Sequence, residues 1–181
     1  MNSDAVVFAE VAGLYRVVPL SVLRRTPGVS FDNVPLAVLP RIDAIDRVIH
    51  QHGAISPGEV GDVGRPWYMH PCQDDNLIVL HGTRYVDLYT PECGQIESFV
   101  VMPHSIRRED RVVCDGPAML VWPRHVFHRI RSCDREGSAS LNFAVHYPGF
   151  DIRTNFNIYD VDPATGRYGV IREGLLDQPT G

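Results

Sequence analysis

Between residues 67 and 147 the apolar positions fall in short runs. Leu77–Leu80, Tyr85–Tyr89, Glu97–Met102, Met119–Trp122, Val126–Ile130 and Ser140–His146 are rich in Val, Ile, Leu, Tyr and Phe, side chains that suit a pleated, half-buried surface. His-Gly, Pro-Glu-Cys-Gly, Asp-Gly-Pro and Arg-Glu-Gly separate them and supply turn chemistry. Short strands at near-regular spacing, with no helical pattern between them, predict an antiparallel sandwich or barrel. The flanks read differently. Arg41–Ile49 carries apolar residues at 42, 45, 48 and 49, a helical spacing, although Val48-Ile49 equally opens a strand. Phe156–Asp160 is strand-like, Asp162–Gly166 is a turn, and Arg167–Ile171 fits a returning hairpin partner. Gly174 and the final Gln-Pro-Thr-Gly predict a loose terminus. The chain therefore reads as one all-β domain over 1–181, with a core barrel over about 45–160. A short helical or irregular N-terminal extension covers 1–44, and a C-terminal hairpin and tail cover 155–181.

Composition narrows the partners. The 181 residues suffice for one domain with a real core. The formal net charge is −5, so nucleic-acid binding has little electrostatic support. No apolar run approaches the ~18 residues of a membrane span, and Met-Asn-Ser-Asp shows no secretory pattern. The four cysteines, Cys72, Cys93, Cys114 and Cys133, form no CxxC pair and read as reduced cytoplasmic thiols. All 17 basic residues are arginines. The lack of lysine excludes Schiff-base chemistry. Of Arg84, Arg124, Arg129 and Arg131, any that points inward can clamp an anionic ligand; alternation places Arg129 and Arg131 on the face opposite His128.

Two stretches carry metal-capable side chains into the strand pattern: Tyr68-Met69-His70-Pro71-Cys72-Gln73-Asp74-Asp75-Asn76 and Trp122-Pro123-Arg124-His125-Val126-Phe127-His128. Tyr68 and His70 share one strand face. A turn through Pro71–Asp74 lets Asp75 open the next strand near His70, and His128 arrives from a distant one. His70, Asp75 and His128 then form a two-histidine, one-carboxylate face, a set that suits Fe(II), Mn, Co, Ni or Zn. Tyr68 serves as a phenolate ligand or a pocket-lining donor. Gln73 and Asn76 are placed to orient ligands or bind substrate, and His125 to be a fourth ligand or a support behind the others.

The spacing resembles the cupin superfamily, small jelly-roll barrels (double-stranded β-helices) whose first motif is G-x5-H-x-H-x3-4-E-x6-G and whose second is G-x5-P-x-G-x2-H-x3-N. Asp75 stands at the Glu position, with Gly82 closing the six-residue span and His70 at the second histidine. Tyr68 replaces the first histidine. Pro123 and His128 match the second motif, while His125 replaces its glycine, Gly116 lies one residue too far upstream and Ser132 stands for Asn. A second register makes His70 the first histidine, with Cys72 and Asn76 following; it breaks the span to Gly82. Residues 77–101 and 122–128 are also similar to the RmlC-like dTDP-sugar 3,5-epimerases. That likeness implies a His base assisted by an acid, a Tyr donor and a nearby Lys, which this chain lacks. His70 would be the base, and Tyr68, Tyr85 or Tyr147 the acid.

The resemblance thus implies a small-molecule-binding barrel and a homodimer, with three functional readings. The first is a metal-dependent dioxygenase, isomerase or lyase. The second is a metal-free sugar-nucleotide epimerase or isomerase with Tyr68 and His70 as catalytic residues. The third is a ligand-binding barrel without turnover.

Overall fold

A computed structural model describes residues 8–39 and 41–179. The extreme termini, including the last two residues of the expected loose tail, lie outside them. In chain order the strands are β1 (Ala9–Val11), β2 (Tyr15–Pro19), β3 (Ser21–Thr26), β4 (Val29–Asn33), β5 (Ala44–His50), β6 (Ile55–Ser56), β7 (Trp67–Met69), β8 (Gln73–Gly82), β9 (Arg84–Tyr89), β10 (Glu97–Met102), β11 (Ser105–Arg108), β12 (Arg111–Asp115), β13 (Ala118–Trp122), β14 (Phe127–Ser132) and β15 (Ser138–His146). A one-turn helix α1 (Ile152–Asn155), the hairpin β16 (Ile158–Asp162) and β17 (Arg167–Arg172), and a 3-10 turn at Gly174–Asp177 complete the chain.

The strands build two antiparallel sheets, one ordered β1-β2-β13-β8-β15-β5 and the other β12-β11-β10-β9-β14-β7-β16-β17. Their facing sides enclose the main core, in which Val17, Leu77, Val86, Leu88, Phe99 and Leu120 are almost wholly buried. Strand β8 is central and covered on both faces. Leu77 and Val79 enter this core, while Ile78 joins Val18, Met119 and Val121 on the outer side. That double burial explains why Leu77–Val79 reads as a continuous apolar run and not as an alternation, while Leu80 at its end is exposed.

Two expectations change. The 41–49 stretch is not helical: β5 pairs with β15 over seven residues, and its exposure alternates with the strand period. Ile45 and Ile49 face outward, whereas Asp46, Val48 and His50 face inward and line a cavity. The inner face is the polar one because it borders a cavity and not the oily core, which masks the strand signal. In the N-terminal stretch, residues 9–33 are built of strands and not of helix, and irregular backbone is found in the residues that follow them. β2 hydrogen-bonds β13, with Val17 and Val18 fully buried, and β3–β4 form a separate hairpin with Val22, Leu23, Val29 and Phe31 exposed.

The tail is also more ordered than expected. Arg172 pairs with Asp177 at 2.7 Å, the Gly174 amide donates to Asn157 Oδ1 at 2.8 Å, and Gln178 borders the cavity.

Candidate functional site

Two strand pairings assemble one site. Tyr68 of β7 lies opposite His128 of β14, and Asp75 of β8 lies opposite Trp122 of β13. His70 follows β7 directly, so it shares the face of Tyr68, with ring centroids 6.2 Å apart. The His70 and His128 rings are 4.6 Å apart. One ligand atom from each of His70, Asp75 and His128 falls within 4.8 Å of the others, and all three residues are buried. They line a cavity of about 390 Å³ between the two sheets.

The hydrogen bonds decide which atoms are free. His70 Nδ1 lies 2.6 Å from the Asn155 carbonyl and His128 Nδ1 lies 3.2 Å from the Val126 carbonyl. A carbonyl only accepts, so each Nδ1 carries its hydrogen. In its neutral form each ring therefore keeps its lone pair on Nε2. Asp75 Oδ1 accepts from Gln73 Nε2 at 2.8 Å and from Asn142 Nδ2 at 2.6 Å. Asp75 Oδ2 is buried with no hydrogen bond, 3.5 Å from His70 Nε2. Two acceptors face each other there, so the gap suits a shared proton or a cation.

Burial dominates the electrostatics. It pushes the Asp75 carboxyl up, against the pull of the His70 charge and the Gln73 and Asn142 hydrogen bonds. It pushes the His128 imidazole well below the usual histidine range, with the His70 charge adding to it, so His128 is neutral near pH 7. It also raises the Tyr68 phenol, helped by Asp177, so Tyr68 holds its proton. At the other end of the cavity, burial and then the Arg84 charge bring His50 down to about 4.

A stability prediction follows. His50 and His128 have folded-state values below the unfolded ~6.5. Their contribution is fully present above that pH and is lost as pH falls through the folded values, about 4 for His50. Asp75, shifted upward by burial, acts in the opposite direction. The melting temperature is expected to fall between pH 6.5 and 4. In His50→Asn the fall is shallower; parallel curves for variant and parent would refute the assignment.

Not every candidate reaches the site. Gln73 lines the cavity and braces Asp75. Asn76 does not: its Nδ2 donates to the Phe143 carbonyl at 2.6 Å, and its amide donates to Asn142 Oδ1 at 2.7 Å, so it ties β8 to β15. The His125 side chain is exposed. Its backbone, at φ 69°, occupies the left-handed turn that favours glycine, and its amide donates to the His70 carbonyl at 2.9 Å. It holds the His70 segment in place and is not a fourth ligand. Tyr85 and Tyr147 lie outside the cavity, Tyr85 under Arg131 and Tyr147 donating to Asp74 at 2.7 Å. That leaves Tyr68 as the tyrosine beside the histidines. Sequence reasoning gave no site role to Asn142, Asn155 and Trp122, and it named Arg84 only as one of four arginines that could point inward. Asn142 and Asn155 carry no motif; Trp122 Nε1 is a buried donor without a partner, 5.2 Å from His128 between ring centroids.

No family model and no curated protein matches the sequence. Solved structures do match by shape. A dTDP sugar isomerase from Desulfovibrio desulfuricans superposes with a TM-score of 0.57 at 14% identity, covering 78% of this chain and 85% of that one. The sugar 3,4-ketoisomerase QdtA from Thermoanaerobacterium thermosaccharolyticum, solved with TDP, gives 0.53 at 13% identity over 78% and 85%. The RmlC epimerase of Mycobacterium tuberculosis gives 0.52 at 10% identity over 77% and 66%. The fold is similar to theirs, an all-β jelly-roll barrel of the RmlC-like kind. In this barrel, the segment from Pro123 to His128 forms the turn into β14, and the segment from Tyr68 to Gly82 spans β7 and β8. None of its helices among the described residues is long and apolar enough to cross a membrane.

Proposed function

We propose that this protein is a proton-transfer isomerase or epimerase acting on a keto-sugar, with a nucleotide-linked sugar as the first class to test. The observation that carries the reading is His70. Its Nδ1 hydrogen is committed to the Asn155 carbonyl, so Nε2 is the free base, on the cavity and beside Asp75. His70 Nε2 takes the proton from the carbon next to the ketone, and that C–H electron pair forms an enediolate. Asp75 stabilises the resulting imidazolium. Tyr68, still protonated, is the acid. Protonation at the former carbonyl carbon, as the hydroxyl on the first carbon passes its proton to the former carbonyl oxygen, moves the ketone; protonation of the same carbon from the other face inverts it. The fold neighbours include enzymes of both kinds, which supports the class but not the substrate.

The test is proton exchange in D2O with TDP-4-keto-6-deoxyglucose, followed by NMR. Exchange at C3 with a new 3-keto product marks a ketoisomerase, and exchange at C3 and C5 marks an epimerase. No exchange, together with no thermal shift by dTDP, removes the proposal.

A second reading rests on a separate observation, the orphan Asp75 Oδ2 facing two histidines whose Nδ1 hydrogens are fixed elsewhere. His70, Asp75 and His128 fit a divalent Fe, Mn, Ni, Co or Zn ion by donor chemistry. Bound there, such an ion would polarise a carbonyl oxygen as a Lewis acid. Ligands about 2.1 Å from a metal lie about 3–3.4 Å apart, so the 3.5 Å His70–Asp75 spacing fits and the widest, 4.8 Å, must close. Elemental analysis of untagged protein decides it: near one equivalent supports the ion, whereas less than ~0.1 per chain and no rise in melting temperature with added metal remove it. The homodimer and the cytoplasmic setting belong to this same proposal; the exposed Ile45 and Ile49 on the outer face of edge strand β5 support the former.

A further inference from the structure

The cavity has a second polar end, and its centre is a cation without an acid. Arg84, the first residue of β9, is 2% exposed. It points inward because Arg84, Val86 and Leu88 share the inner face of their strand. Its Nε donates to Ser138 Oγ at 3.0 Å and its Nη2 to the Val48 carbonyl at 3.4 Å. Among the described residues no carboxylate lies within ion-pair reach of it. Arg84 lines the cavity, and these two hydrogen bonds use only part of its guanidinium. Nearby groups are neutral: His50 Nδ1 meets Ser132 Oγ at 3.0 Å, and Ser132 Oγ meets Ser138 Oγ at 2.7 Å.

The physical argument is about charge. An arginine fixed only to hold a serine and one carbonyl would be a costly choice, since an unpaired buried ion carries a penalty of several kcal/mol. Burial does lower Arg84, to about 10, and no acid offsets it; it still carries its charge near pH 7. Two hydrogen bonds leave most of its five N–H donors free, and that planar fork fits a carboxylate or phosphoryl group bidentately. The site is also distinct from the histidine cluster. Arg84 lies opposite Ser132 and Leu88 opposite His128. Four residues separate those two rows, about 13 Å along the strands. Asn142, Asp46, Leu77 and Ile130 line the cavity between them.

We propose that Arg84 is the anion subsite of this cavity, holding a carboxylate or phosphoryl group of a ligand whose reacting end lies at His70. The subsite shares the cavity with the proposed proton transfer but does not depend on that reaction. A ligand that satisfies both ends is a polar carbonyl compound carrying its anion several atoms from the reacting carbon. A sugar phosphate, a sugar acid and a nucleotide-linked sugar all meet that description.

Calorimetric titration with inorganic phosphate, pyrophosphate and malonate tests it, on the parent protein, Arg84→Met, Arg84→Lys and the surface control Arg135→Gln. Saturable binding is expected with one site per chain, weakened at least tenfold in Arg84→Met, partly retained in Arg84→Lys and unchanged in Arg135→Gln. The stronger of malonate and the phosphates names the group. Should Arg84→Met fail to fold, 15N spectra of the parent's arginine Nε–H groups give the same answer. One resonance, absent from Arg84→Lys, is expected to move with the calorimetric affinity. Absence of saturable binding by all three anions, or equal affinity in a folded Arg84→Met, overturns the proposal. Anion binding without proton exchange would leave the subsite standing and remove only the reaction.

Discussion

Replacing His70 by Asn is expected to cut proton exchange on the keto-sugar by about 10³-fold, within the 10²–10⁴ range for loss of a positioned general base. The asparagine amide keeps a donor near the Asn155 carbonyl, so the fold should persist, but it offers no basic nitrogen to the cavity. Asp75 beside it then has no imidazolium to stabilise. The reading is checked by the NMR exchange rate at matched substrate concentration, alongside a melting curve that shows the variant folded. Exchange within threefold of the parent would move the base elsewhere. Tyr68→Phe is the companion measurement. If Tyr68 only supplies a proton after abstraction, washout of the substrate proton survives in the variant while product accumulates slowly.

The second large effect is structural. Gly82 sits at φ 69°, and a Cβ there would lie 2.2 Å from the Gly137 carbonyl oxygen and 3.0 Å from its carbonyl carbon. Both are backbone atoms, so no side chain can swing aside. Gly137 is just as confined, its own Cβ falling 2.3 Å from the His50 carbonyl oxygen. Three neighbouring chain segments therefore touch at two glycines where β8 and β5 end and β15 begins. Gly82→Ala is expected to cost ~3 kcal/mol or more, from left-handed strain plus forced separation of the strands. That corresponds to a fall of about 6–12 °C in melting temperature for a chain of this size. Gly94→Ala is the control, because its φ of 67° is similar but the nearest atom is 4.0 Å away; it should cost only ~1 kcal/mol. Equal losses in the two variants would show that backbone conformation alone sets the effect.

Gly82 also shows how much of the site could be read in advance. Its six-residue distance from Asp75 selects one motif register over the other, and that register points His70 and Asp75 at each other. The structure brings those two together with His128. The local rule that i and i+2 share a strand face accounts for Tyr68 beside His70. What could not be read depends on long-range pairing. Asn142 reaches Asp75 only because β15 lies next to β8. Asn155 reaches His70 only because α1 folds back over the barrel mouth. Arg84 was one inward candidate among four arginines; alternation sets Arg129 and Arg131 apart, but nothing local separates Arg84 from the exposed Arg124. The strand β5 was obscured for a different reason: its inner face carries Asp46 and His50, so hydrophobicity runs opposite to the usual alternation. The same inversion marks where the barrel interior stops being core and becomes cavity.

The pairings that complete the site are distant along the chain: His70 to Asn155 spans 85 residues, and Asp75 to Asn142 spans 67. Closing such loops is slow, and proteins dominated by non-local strand contacts fold on the millisecond-to-second scale. No fragment and no half-assembled sheet can present the cavity, so a compound that fits it recognises only chains that have finished folding. Ligand capture would then serve as a clock for maturation. During refolding, its onset should trail the recovery of strand signal by the time the two sheets need to meet.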